Sequence, residues 1–373
     1  MEPLLLRLGE PRELLALVPH LLGFQPRDSA VVVSLRGRRG QVGLVARVDL
    51  ADVADPTHGP QVARSLATHL HRDGARRAAL VVYTETSAPG GAALAEAAAS
   101  HVAEAFDVPF GGVEVVLVGD TTFRCRSCEE TCCPPQGHPL SDLQATRAGA
   151  EMVLAGSVVA AGREQLGDVG TAPPAARRAV ARVRRRRADA RVRAAVSGPQ
   201  ALARWRAESL AAWRALVAYA ATDHRGPVSR PALLGRVEAG LVDRRVRDAV
   251  LVACLPEAGS LPERTLAHAG PDEDAEIRSA IARLVDPGEG QPPDDSVRAV
   301  RSALEDVVAH GRRGGQAPAA TLLATVAWWQ GDGARAAVLL ERALDDDPEY
   351  RLGRLMRSAV EAGLAPGWVR REP

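Results

Sequence analysis

Up to Val118 the chain alternates short β-branched runs with helical stretches, and beyond Leu140 the strand signal does not return. This change of apolar period, from two residues to about 3.6, constrains the fold more than any other feature. Ala30 to Leu35 is an apolar run of the kind found in buried strands. Val42 to Leu50 sets Val42, Leu44, Ala46 and Val48 on one face and Val45, Arg47 and Asp49 on the other. The short Gly-Arg connection between the two runs makes them an antiparallel hairpin. Gly59 to Asp73 then reads as helix, Ala78 to Thr84 as strand, Ala92 to Phe106 as helix and Val113 to Val118 as strand. That order implies parallel, right-handed crossovers that extend the hairpin into a mixed sheet. Ahead of the hairpin, Pro11 to Leu22 has helical spacing, and Pro19 should break or restart it.

From Leu140 onward every periodic segment is helical. The spacing predicts helices over Asp142 to Gln165, from Pro174 through a basic stretch to Val196, over Gln200 to Ala221, over Arg230 to Cys254 and over Asp294 to His310, with turn-rich connections at Pro256 to Pro271 and Pro287 to Pro293. Gly331, Ala336, Ala343 and Pro348 stand at the spacings of the small residues and terminal proline of a tetratricopeptide helix pair. Small residues let two antiparallel helices approach closely, and Trp328 and Trp329 are placed to fill the groove between them. The expected class is α/β plus all-α. We expect an α/β domain over 1–140 that ends in a cysteine-rich loop, a helical connector over 141–200, and a helical domain over 201–373 with a tetratricopeptide-like hairpin at 317–362.

Four of the five cysteines, Cys125, Cys128, Cys132 and Cys133, lie within nine residues at the switch between the two patterns, and His138 follows. Thiolate and imidazole ligands suit tetrahedral zinc, and Cys125 with Cys128 has the usual two-residue gap between ligands. The same gap marks a redox dithiol, with Arg124 and Arg126 placed to favour a thiolate. A third reading is that these are structural, buried cysteines. Zinc on Cys125, Cys128, Cys132, Cys133 and His138 is the leading expectation, and no other cofactor is implied.

The basic residues add little to this. The chain has no Lys and no Asn, so all 47 basic residues are Arg, and the net charge is only +1. Such a balance gives no global field to steer nucleic acid or an anionic membrane. Nine arginines lie between Arg177 and Arg193, enough for several phosphate contacts. A solvated helix face paired with acidic neighbours is the reading we favour for them, and nucleic acid is the lesser alternative. No apolar run approaches the roughly 20 residues of a membrane span, and no signal-peptide apolar region is seen in the first residues. A cytoplasmic protein with reduced thiols is therefore expected.

Ligands of open α/β sheets sit beyond the carboxyl ends of strands, here Tyr83 to Ser87 and Gly119 to Phe123. A nucleophilic triad from Ser29 or Ser127 with His20, His58 or His138 lacks the glycines of a nucleophile elbow. Capping the turn before the first strand is the favoured role of Asp28 and Ser29, and ion pairs at element ends are expected for Arg47 with Asp49 and Arg247 with Asp248.

Several of these pieces, taken in order, resemble a bacterial family designated domain of unknown function 4192. They are Pro19 to Phe24, Pro26, Asp28 and Ser29 leading into Val31 to Val33; Arg47, Val48 and Asp49; Cys128, Cys132, Cys133, Pro134 and Gly137; Arg163, Glu164 and Leu166; Val246, Arg247 and Asp248; and Gly331 through Pro348. Cys125 is a thiol beyond the family's pattern. The resemblance implies an architecture and no activity. The function expected is a binding or regulatory module with a zinc-binding or redox-sensitive cysteine loop and a helical region for a protein partner. The alternative is an enzyme with its pocket at the strand ends beside that loop.

Overall fold

The computed structural model describes residues 11–38, 40–85, 89–127, 133–134, 136–222, 230–255, 258–266 and 271–369. The chain forms two compact units, Met1–Leu166 and Gly167–Pro373.

The first unit carries α1 (Pro11–Leu22), β1 (Ser29–Arg36), β2 (Gln41–Asp49), α2 (Leu50–Ala54), α3 (Gly59–Arg72), β3 (Ala75–Tyr83), α4 (Gly91–Phe110), β4 (Glu114–Val118), β5 (Thr122–Cys125), β6 (His138–Pro139) and α5 (Arg147–Leu154). The strands form one mixed sheet in the order β2-β1-β3-β4-β5-β6. Among the described strands only β3 and β4 pair in parallel, while β1 lies antiparallel to both β2 and β3. Ala30 and Val32 of β1, with Leu80 and Val82 of β3, pack into one core with Val53, Leu66, Leu70, Val102 and Phe106 of the helices. Val31, Val33 and Val81, on the opposite face, are equally buried. Burial on both faces explains why these runs are apolar throughout instead of alternating.

In β2, Gly43 is required by its surroundings. A β-carbon there would collide with the Asp73 carboxylate, which accepts from Arg36 Nε at 2.9 Å and from the Leu44 amide at 2.8 Å.

Several expectations are corrected here. Helix α1 runs through Pro19 without a break. The proline removes one hydrogen bond near the helix end, while buried Leu14, Leu15, Leu17, Val18 and Leu22 hold the helix on both sides of it. No single helix spans Asp142 to Gln165. A 3-10 turn (Leu140–Ala145) ends at Thr146, whose backbone is extended, and α5 starts afresh after it. The Glu13 carboxylate of α1 accepts from the amides of Arg147 at 3.1 Å and Ala148 at 2.7 Å, so a side chain from a distant element satisfies the first free donors of α5. The stretch after Val118 is also not a plain loop, since β5 and β6 add two strands to the sheet.

The second unit is helical: α6 (Pro174–Ser197), α7 (Pro199–Ala221), α8 (Arg230–Leu241), α9 (Arg244–Ala253), α10 (Leu261–Leu266), α11 (Pro271–Ala282), α12 (Val297–His310), α13 (Ala317–Trp329), α14 (Gly333–Asp346) and α15 (Arg351–Glu361). The single helix expected over Arg230 to Cys254 is two. Asp243 divides them by accepting from the Arg245 and Val246 amides as the N-cap of α9. Helix α10 lies within the connection expected to be turns, and α11 starts where that connection ends.

Helix α13 is buried along nearly its whole length, which is the pattern of a helix surrounded on all sides. Ala336 and Ala343 of α14 are completely buried, and α13 and α14 pack on each other. The Trp328 indole donates to the Leu364 carbonyl at 2.7 Å and the Trp329 indole to the Gln291 carbonyl at 3.0 Å, so each buried ring keeps its polar group satisfied.

Candidate functional site

The cysteine hairpin is built by strand register. Phe123 pairs with His138 across β5 and β6, and Cys125 pairs with Val116 of β4. Residues two apart on a strand share a face, so Phe123, Cys125 and His138 all belong to the sheet face opposite α2, α3 and α4. The return to β6 is made at Gly137, whose φ of +78° suits glycine and whose β-carbon would stand 2.8 Å from the Phe123 carbonyl. The Gly137 amide donates to the Pro134 carbonyl at 2.8 Å and closes the turn.

This turn brings the two ends of the cysteine stretch together. The Cys125 amide donates to the Cys133 sulfur at 3.4 Å. The His138 ring stacks on Phe123 with centroids 5.3 Å apart. Cys128 and Cys132 lie outside the described residues. Among the described residues no three His, Cys, Asp or Glu side chains gather closely enough to hold a metal ion. Arg126 reaches α4, where it pairs with Glu96 and donates to Ser100 Oγ at 2.9 Å.

At the strand ends, the polar groups are engaged by the fold. Asp28, in the left-handed region at φ +40°, accepts from the Glu85 amide at 3.4 Å. Buried Ser29 donates to the Arg27 carbonyl and accepts from Arg47 Nε at 2.7 Å, while Arg47 pairs with Asp49 at 2.6 Å. Thr86 and Ser87, which end the stretch expected to line a site after β3, lie outside the described residues. His20 Nδ1 lies 3.0 Å from Ser157 Oγ, and burial pushes its pKa down.

The chain matches the family model described as Domain of unknown function (DUF4192) over residues 11–367. It belongs to that family. The match runs through both units of this DUF4192 chain, so the cysteine hairpin and the helices are parts of one family architecture. No curated protein and no solved structure matches the chain.

In the helical unit the arginine run is partly tied down. Arg184 pairs with Glu238, Arg187 with Glu208 and Arg191 with Asp243, and Arg187 lies over the Trp205 ring at 4.9 Å. A cleft of about 510 Å³ opens beside the start of α6, lined by Arg177, Arg313, Gln316, Arg342 and Asp346 among others. Sequence reasoning saw Arg177 only as part of a run and did not single out Arg313 or Arg342. Their approach depends on how α6 packs near the turn between α12 and α13, which no local spacing signals.

Proposed function

We propose that this protein is a cytoplasmic binding or regulatory module in which the cysteine hairpin holds a structural zinc ion. Cys125 and Cys133 form its anchored pair, and Cys128 and Cys132 complete a four-thiolate shell. His138 serves as an aromatic wall on Phe123 and stays outside the shell. The observation that carries this reading is the Cys125 amide held against the Cys133 sulfur across a closed turn. Four thiolates suit tetrahedral zinc, and in a reducing compartment they are available to it. A thiol switch finds less support, because Arg126, a cation adjacent in sequence to Cys125, pairs instead with Glu96.

The proposal extends to the helical unit, which we read as a protein-docking region built on a tetratricopeptide-like pair of α13 and α14. The buried Ala336 and Ala343 support that reading, since small side chains there allow close helix approach. The test of the zinc site is metal analysis of the full chain with three variants. Cys125→Ser and Cys133→Ser should lose the metal, and His138→Asn should keep it. Retention of zinc by both serine variants would remove the anchored pair from the site.

A further inference from the structure

The cleft of the helical unit is charged unevenly. Arg177, Arg313 and Arg342 line it against Asp345 and Asp346. Asp346 is already engaged, accepting from the Gly314 amide, from the Gln316 amide at 2.5 Å and from the Ala317 amide at 3.0 Å. It therefore caps α13 while also acting, together with Asp168, on the Arg342 guanidinium. Arg342 donates to the Gly167 carbonyl at 3.4 Å and to Gln316 Oε1 at 3.2 Å, two neutral acceptors. Arg177 has a buried Nε with no acceptor among the described residues. A second cleft of about 260 Å³ shares Arg177 and Gly311 with the first. Its single carboxylate, Glu238, stands in the field of Arg177, Arg184 and Arg312 together.

The first cleft sets three arginines against two aspartates, and the second sets Arg177, Arg178, Arg184 and Arg312 against Glu238 alone, so the two together are lined by an excess of positive charge. A concave surface lined by an excess of one charge concentrates counterions of the other. Guanidinium forks match phosphate oxygens in pairs. The volume falls in the range of roughly 300–1,000 Å³ common for small-molecule sites.

We propose that this cleft binds a small molecule bearing two or more linked phosphates, with Arg177 and Arg313 as its principal ligands. The inference does not depend on the cysteine hairpin. The probe is inorganic tripolyphosphate, titrated calorimetrically into the full chain at low ionic strength. A single saturable site is expected, weakened at least tenfold by Arg177→Gln and by Arg313→Gln. Arg193→Gln should bind as the native chain does, because Arg193 is 16 residues from Arg177 along α6, roughly 24 Å at 1.5 Å per residue. Arg313 is exposed, so its substitution leaves the core intact and keeps the result readable even where Arg177→Gln disturbs α6. Absence of saturable heat, or equal weakening in all three variants, overturns the proposal. Binding of a single-stranded oligonucleotide without binding of tripolyphosphate also overturns it, in favour of a nucleic-acid surface.

Discussion

Two residues show how the surroundings fix a side chain's chemistry. Gly43 sits under a carboxylate that cannot move away, because Asp73 is held by Arg36 and by the Leu44 amide. Gly43→Ala should therefore destabilise the chain by about 2 kcal/mol, the usual scale of overpacking. Urea unfolding checks this, and an unchanged midpoint would show that the Asp73 side chain yields. Cys254 is the thiol outside the hairpin. It donates to the Val250 carbonyl at 3.1 Å, and burial pushes its pKa up to about 12. At roughly pH 8 it remains a thiol and should resist iodoacetamide in the native protein, reacting only after denaturation. Peptide mass spectrometry after native alkylation reads the outcome, and prompt labelling of Cys254 would contradict it.

At the scale of elements, capping decided much of what spacing did not. Asp243 caps α9 and pairs with Arg191 at 3.2 Å and Arg206 at 3.1 Å while almost wholly buried. Asp243→Ala removes the cap and the carboxylate that Arg206 and the partly exposed Arg191 share, so a loss of about 2 kcal/mol in unfolding free energy is expected. A change within about 0.5 kcal/mol of the native value would refute the cap's role. Asp243 was legible in the sequence only as one acidic residue in a helical run, which is why α8 and α9 read as one helix. The break at Thr146 was hidden for a related reason, since the group that caps α5 is Glu13, far away in the chain. Continuous apolar runs, by contrast, announced β1, β3 and β4 correctly, because strands buried on both faces need no partner to be recognised. The two-residue strand β6 carries no such run and exists through its pairing with Phe123 and Thr122.

At the scale of the molecule, the change from mixed sheet to helices was visible in the period of the apolar residues. No described helix is long and apolar enough to cross a membrane. The cysteines were visible as a group, whereas the join between Cys125 and Cys133 required the strand register that closes the hairpin. The arginine cleft left no mark in the sequence, since its side chains come from segments more than a hundred residues apart. The cysteine hairpin carries the central claim, that sheet pairing draws thiolates into one metal site at the end of the α/β unit. The most direct measurement is the zinc content of the full chain purified without chelator. The account predicts about one zinc per chain, lost in Cys125→Ser and in Cys133→Ser. A native protein carrying well under one zinc per chain would contradict it.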